Sequence, residues 1–214
     1  MLKVNYLLLT MKTDREVKLG VSPLSLQVTS EYQKLLNQSG YTPSGGNYPL
    51  IQYKVIRGAP IIVAVNEGCD VLWNIYDCLD EINERSTWEI TEKRIIDKKV
   101  NLGPTDKWVR YRFLTPWLTI PAEELGKKTQ NNLQQKNKIL TPVLENNFLG
   151  IARNFDIPVE DEININLNVR DNFIIQKDTG VAGFFGTFYA NFELPPFLGL
   201  GRSISRGFGT IKHN

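Results

Sequence analysis

Leu50-Ile51-Gln52-Tyr53-Lys54-Val55-Ile56, then Arg57-Gly58-Ala59-Pro60, then Ile61-Ile62-Val63-Ala64-Val65 is the stretch that decides the fold. Two short runs rich in β-branched residues bracket a Gly- and Pro-containing turn, which predicts a β-hairpin. On its C-terminal side, Val71, Leu72, Ile75, Tyr76, Leu79 and Ile82 recur at helical spacing, so Glu67 to Ile82 is predicted as a helix. Beyond that helix, Trp88 to Leu102 reads as an extended stretch. On the N-terminal side, Ser22-Pro23 is a helix start signal, and Leu24, Leu26, Val28, Tyr32, Leu35 and Leu36 carry the helix to about Asn37. A breaker-rich loop, Ser39 to Asn47, joins that helix to the hairpin. Met1 to Leu9 at the start is a largely apolar run suited to a strand buried in a sheet. The order is β-α-β-β-α-β, the split βαβ of ferredoxin-like domains.

The second half repeats an α+β plan without repeating sequence. Gly103-Pro104-Thr105-Asp106 reads as a joint between halves, and Trp108 to Leu114 as a strand. A polar helical region follows from Pro121 to Lys138 and carries Lys127, Lys128, Lys136 and Lys138, read as a solvated face with phosphate contact as the alternative. Thr141-Pro142 reads as the start of a separate helix with Leu140, Leu144, Phe148 and Ile151 as its stripe. Ile163, Ile165, Leu167 and Val169 alternate with Asn164, Asn166, Asn168 and Arg170, the pattern of a half-buried strand. Gly183 to Asn191 makes a last, aromatic strand. The expected class is therefore α+β, with two tandem ferredoxin-like (RRM-like, βαββαβ) domains spanning 1–103 and 104–214.

Composition excludes several classes. With 42% hydrophobic and 22% charged residues the chain has the chemistry of a globular protein, neither disordered nor fibrous. A net charge of +2 is too small to announce nucleic acid by itself. The first apolar run is interrupted by Lys12, Asp14, Arg15 and Glu16, so neither a signal peptide nor a membrane span is expected. Cys69 and Cys78 lie nine positions apart in a predicted helix, on opposite faces at about 100° per residue, and cannot bridge. His213 is the single histidine, and no Cys-x-x-Cys pair exists, so no metal or cofactor is expected. Reduced thiols point to the cytoplasm.

The motif with most functional content is Gly199-Leu200-Gly201-Arg202-Ser203-Ile204-Ser205-Arg206-Gly207-Phe208-Gly209-Thr210-Ile211-Lys212. Two Gly-apolar-Gly triplets flank five residues that include Arg202 and Arg206. Glycines let backbone pass close to a ligand, and guanidinium groups suit phosphates and base edges. The alternative is a glycine-rich turn that packs a sheet edge. The pattern resembles the glycine-rich loop of the RAMP superfamily of CRISPR-associated RNA-binding proteins. Tyr48-Pro49-Leu50-Ile51-Gln52-Tyr53-Lys54 with Asn66-Glu67-Gly68, Tyr111-Arg112-Phe113-Leu114-Thr115-Pro116-Trp117, and Ser205-Arg206-Gly207-Phe208-Gly209 occur in the order of one family within it. That family is the sixth Cas family, the endoribonucleases that cut precursor CRISPR RNA within each repeat.

The resemblance implies two ferredoxin-like domains holding CRISPR repeat RNA, and metal-independent attack of a ribose 2′-OH on the adjacent phosphate, leaving a 2′,3′-cyclic phosphate. It implies RNA contacts from Gly199, Gly201, Arg202, Ser203, Arg206, Gly207, Gly209 and Lys212. In the subgroup most resembled, histidines precede the Tyr48–Lys54 block; here Leu36-Asn37-Gln38-Ser39-Gly40-Tyr41 occupies that place. Asn and Gln cannot shuttle a proton near neutral pH. The remaining catalytic candidates are Tyr41, against an ordinary loop aromatic, and Lys54 as a cation facing the phosphate, against a solvent-facing strand lysine. The same resemblance accommodates a repeat-RNA-binding protein that does not cut, or a RAMP-type subunit of a CRISPR effector complex working with other Cas proteins.

Overall fold

Val4, Tyr6, Leu7, Leu8 and Leu9 are all buried, because the strand that carries them, β1 (Leu2–Thr13), has a core on each face. Tyr6 and Leu8 join one apolar cluster while Leu7 and Leu9 join another. A continuous apolar run is what a strand covered on both faces requires. The computed structural model describes residues 1–18, 47–77, 79–83, 87–121, 133–171 and 181–213. The predicted helix from Ser22 to Asn37, most of the loop after it, and Tyr41, Cys78, Lys127 and Lys128 lie outside the described residues.

The hairpin forms as read: β2 (Ile51–Ile56) pairs antiparallel with β3 (Ala59–Val65), and β3 pairs with β1. Helix α1 (Glu67–Tyr76) buries Cys69, Val71, Leu72 and Ile75 in the cluster that holds Leu7 and Leu9. It is shorter than its periodicity suggests. Ile82 belongs instead to β4 (Glu81–Asn83), where it pairs with Trp88 across the sheet.

Strand β5 runs unbroken from Thr87 to Phe113. The joint expected at Gly103–Asp106 therefore lies inside a strand. Gly103 takes a φ of +128°, and the register shifts between Pro104 and Val109, so the change of partner is absorbed by a bulge. The first part of β5 pairs with β1 up to Leu102, and from Gly103 onward it pairs with β8 (Val181–Glu193). The sheet order is β2-β3-β1-β5-β8-β6, with β6 at Trp117–Pro121; β7 (Ile165–Asp171) pairs β8, and β9 (Ile211–His213) pairs β5.

One helix, α2 (Leu133–Asn154), stands where a break at Thr141-Pro142 was expected, with Pro142 inside it. Proline removes one ladder donor. The Thr141 hydroxyl bonds back to the Asn137 carbonyl at 2.8 Å, and Leu140, Leu144, Phe148 and Ile151 are fully buried against the sheet. Burial of such side chains is worth about 2 kcal/mol each, enough to offset roughly 3 kcal/mol for the proline. Lys136 is buried rather than solvated, and Lys138 is exposed. Phe148 packs against Phe188 and Phe192 of β8. The class is α+β with a mostly antiparallel sheet. Among the described residues no helix is long and apolar enough to cross a membrane.

Candidate nucleic-acid interface

Polar residues at alternate positions of an otherwise apolar segment point to one face of it, and something on that face must satisfy them. Tyr48, Gln52 and Lys54 are such residues, and each is buried. Their partner is the glycine-rich segment, some 150 residues away in sequence. The Tyr48 hydroxyl donates to the Gly199 carbonyl at 2.8 Å. The Gly199 N–H donates to Gln52 Oε1 at 2.9 Å, while Gln52 Nε2 donates to the Pro49 carbonyl. The Lys54 ammonium donates to the Ile204 carbonyl at 3.2 Å. Three side chains at the head of the hairpin thus hold the near side of the segment.

The far side is held by the Leu114-Thr115-Pro116-Trp117-Leu118 stretch. Thr115 Oγ1 donates to the Gly207 carbonyl at 2.7 Å and accepts from the Thr210 N–H at 2.9 Å. Gly209 N–H donates to the Pro116 carbonyl, and Arg202 N–H to the Leu118 carbonyl. Leu200 N–H closes onto the Gly209 carbonyl, making a ring whose tip is the single turn Ile204–Arg206.

The glycines serve this closure. All four of Gly199, Gly201, Gly207 and Gly209 are buried. A methyl group at Gly209 would lie 1.8 Å from the Leu200 oxygen, and one at Gly201 2.4 Å from the Leu118 oxygen. Both have positive φ, +65° and +86°. Their backbone passes close to other backbone of the same protein, and the expectation that it lies bare for a ligand is corrected by that crowding. What the ring presents outward is Arg202 and Arg206, both exposed, with Ser203 and Ser205 half-buried between them. Lys212, on β9, is also exposed. Among the described residues none of Arg202, Arg206 and Lys212 is in an ion pair.

Lys54 differs from both of its expected roles. It is 0% exposed, so it neither faces solvent nor stands where a phosphate on the surface would touch it. Burial lowers its pKa to about 7, because an ammonium with one carbonyl partner in an apolar setting is costly. Its amine lies under Gly199 and beside Ile204, beneath the ring whose rim carries the arginines. His213 rests against Tyr111, with Nε2 2.7 Å from the Leu194 carbonyl. Tyr48, Gln52 and Thr115 are functional residues that sequence reasoning does not single out. The available signal was their polarity inside segments destined for the core.

The chain matches two family models: one described as the Cas6b N-terminal domain over residues 3–101, and one described as the Cas6b C-terminal domain over residues 103–214. A crystal structure of Cas6b superimposes over 100% of both chains with a TM-score of 0.85 at 24% identity. A crystal structure of the CRISPR RNA processing endoribonuclease Cas6b does so over 100% of both chains with a TM-score of 0.75 at 25% identity. An uncharacterized protein of Methanocaldococcus jannaschii is 28% identical over 110 residues, 51% of this chain and 75% of that protein.

Proposed function

The chain belongs to the Cas6b family, and from that premise we propose that it binds CRISPR repeat RNA across the Arg202–Arg206 rim and cuts precursor CRISPR RNA within the repeat. The observation that carries this reading is the double clamp: Tyr48, Gln52 and Lys54 on one side and Thr115 on the other fix a loop whose unpaired guanidinium groups face outward. A cation set held rigidly loses little entropy when it meets a phosphate.

In the reaction a ribose 2′-oxygen bonds to the neighbouring phosphorus, the bond to the 5′-oxygen breaks, and one proton passes from the 2′-OH to the departing oxygen. The products are a 2′,3′-cyclic phosphate and a 5′-OH. Arg202, Ser203, Arg206 and Lys212 align the strand and offset charge that grows on the phosphoryl oxygens. Gly199, Gly201, Gly207 and Gly209 shape the ring on which these groups stand. Lys54 acts through the ring as a positioning residue. Tyr41, in the segment where the family's histidines are expected, is the candidate for proton movement. The halves 1–103 and 104–214 share the work: the first supplies Tyr48, Gln52 and Lys54 to one side of the clamp, and the second supplies Thr115 and the loop itself. The cytoplasm, where repeat transcripts are made, is the proposed location.

Labelled repeat RNA incubated with the protein in EDTA tests this reading. One cut with a cyclic phosphate end is expected. Intact RNA at saturating protein would reduce the reading to a repeat-RNA holder, and product formed only with added metal would overturn the mechanism.

A further inference from the structure

The outward face of the second half's sheet is dressed differently from its inward face. Inward, Tyr111, Phe113, Leu167, Val169, Phe188 and Ile211 are buried in the main apolar cluster. Outward, the pairings set Lys212 beside Arg112, Arg112 beside Thr187, and Thr187 beside Asn168, a row across four strands. The next row sets Arg110 beside Tyr189 and Tyr189 beside Asn166, and Arg170 sits beside Phe185. Trp108, two positions before Arg110, lies in the stretch between Pro104 and Val109 where the register with β8 shifts, beside this face.

A half-solvated antiparallel sheet carries polar residues on its wet side, and protein surfaces ordinarily intersperse both signs of charge. Here Arg110, Arg112, Arg170 and Lys212 are all exposed, and among the described residues none is in an ion pair. The carboxylate of Glu193 lies further along β8, where Asn101 donates to it at 3.4 Å. Two large rings are exposed here: Tyr189, 38% exposed, on the face itself, and Trp108, 57% exposed, in the bulge two residues before Arg110. The Arg110 guanidinium stands over the Tyr189 ring, 5.8 Å from its centroid. Exposed rings interleaved with unpaired cations on a sheet suit unpaired nucleotides: bases stack on the rings or on a guanidinium plane, and the cations meet phosphates.

We propose that this sheet face is a second RNA surface that takes single-stranded nucleotides flanking those held at the glycine-rich ring. The proposal rests on the RNA-binding reading above. Bases stack on Trp108 and on the Arg110–Tyr189 pair, Arg112, Arg170 and Lys212 take phosphates, and the amides of Asn166 and Asn168 reach base edges. Lys212, three residues beyond Gly209, joins the ring to the face.

The test uses the full chain and two probes: labelled repeat RNA, and the same RNA extended by ten uridines at one end or the other. In the wild-type protein an extension at one end tightens binding. In Trp108→Ala/Tyr189→Ala that gain disappears, a loss of about tenfold or more, while affinity for the unextended repeat is unchanged. Trp108→Phe/Tyr189→Phe keeps the gain, which separates stacking from folding defects. A gain that survives in the alanine pair, or no gain at either end in the wild type, overturns the proposal while leaving repeat binding intact. No binding of either probe by the wild type overturns the underlying reading as well.

Discussion

The Lys54 ammonium donates to the Ile204 carbonyl at 3.2 Å, from a side chain with no exposed surface. A lysine on the hairpin's first strand thus reads the position of the loop's tip from beneath. The bond ties the hairpin to the turn that lies between Arg202 and Arg206 in sequence. It also carries a cost, because burial disfavours the charged amine.

That cost sets a pH dependence. Unfolded lysine holds its proton up to about pH 10.5, whereas folded Lys54 sheds it near pH 7. Between those values unfolding takes up a proton, so the Lys54 contribution makes stability rise with pH over that window. Below pH 7 the buried ammonium weighs against the fold in full, and above about 10.5 the slope ends. Urea unfolding of wild type and Lys54→Met from pH 6 to 10 is expected to show the slope in the wild type alone. Parallel curves for the two proteins would contradict the buried-amine account.

Gly209→Ala is expected to cost about 2–4 kcal/mol, since the added methyl meets the Leu200 oxygen and the residue is held at positive φ. Ser205→Ala, a half-buried neighbour at the tip, serves as control and is expected within about 0.5 kcal/mol of wild type. Chemical denaturation of both variants checks the difference. Near-equal midpoints would mean that the ring opens freely.

Gln52→Leu removes the acceptor of the Gly199 N–H and leaves that donor buried. A loss of about 1–3 kcal/mol is expected, together with slower repeat cutting although both arginines are present. Cutting at the wild-type rate in a variant that has lost stability would show that the clamp does not govern the loop.

Much of the fold is legible in the sequence because it rests on local patterns. The hairpin from Leu50 to Val65 and the Ile163–Arg170 strand follow from spacing alone. The elements misread are those where distant contacts overrule local signals. Pro142 is tolerated inside α2 because Leu140, Leu144, Phe148 and Ile151 are buried on both sides of it. Gly103-Pro104 marks where β5 changes partner from β1 to β8, although the strand itself runs on through it. At the candidate site, the segment is identified by its glycines and arginines, but the need for glycine at 201 and 209 comes from the crowding Leu118 and Leu200 oxygens, which no spacing reveals. The clamp by Tyr48, Gln52 and Lys54 is equally non-local.

The central claim is that Arg202 and Arg206, carried on this clamped ring, hold repeat RNA through its phosphates. Salt titration of repeat-RNA affinity for wild type and Arg202→Ala/Arg206→Ala measures it directly. Each phosphate contact to a single strand contributes a slope of about 0.7 in log K against log salt, so the double variant is expected to bind more weakly with a slope reduced by about 1.4. Unchanged affinity and slope would contradict the claim.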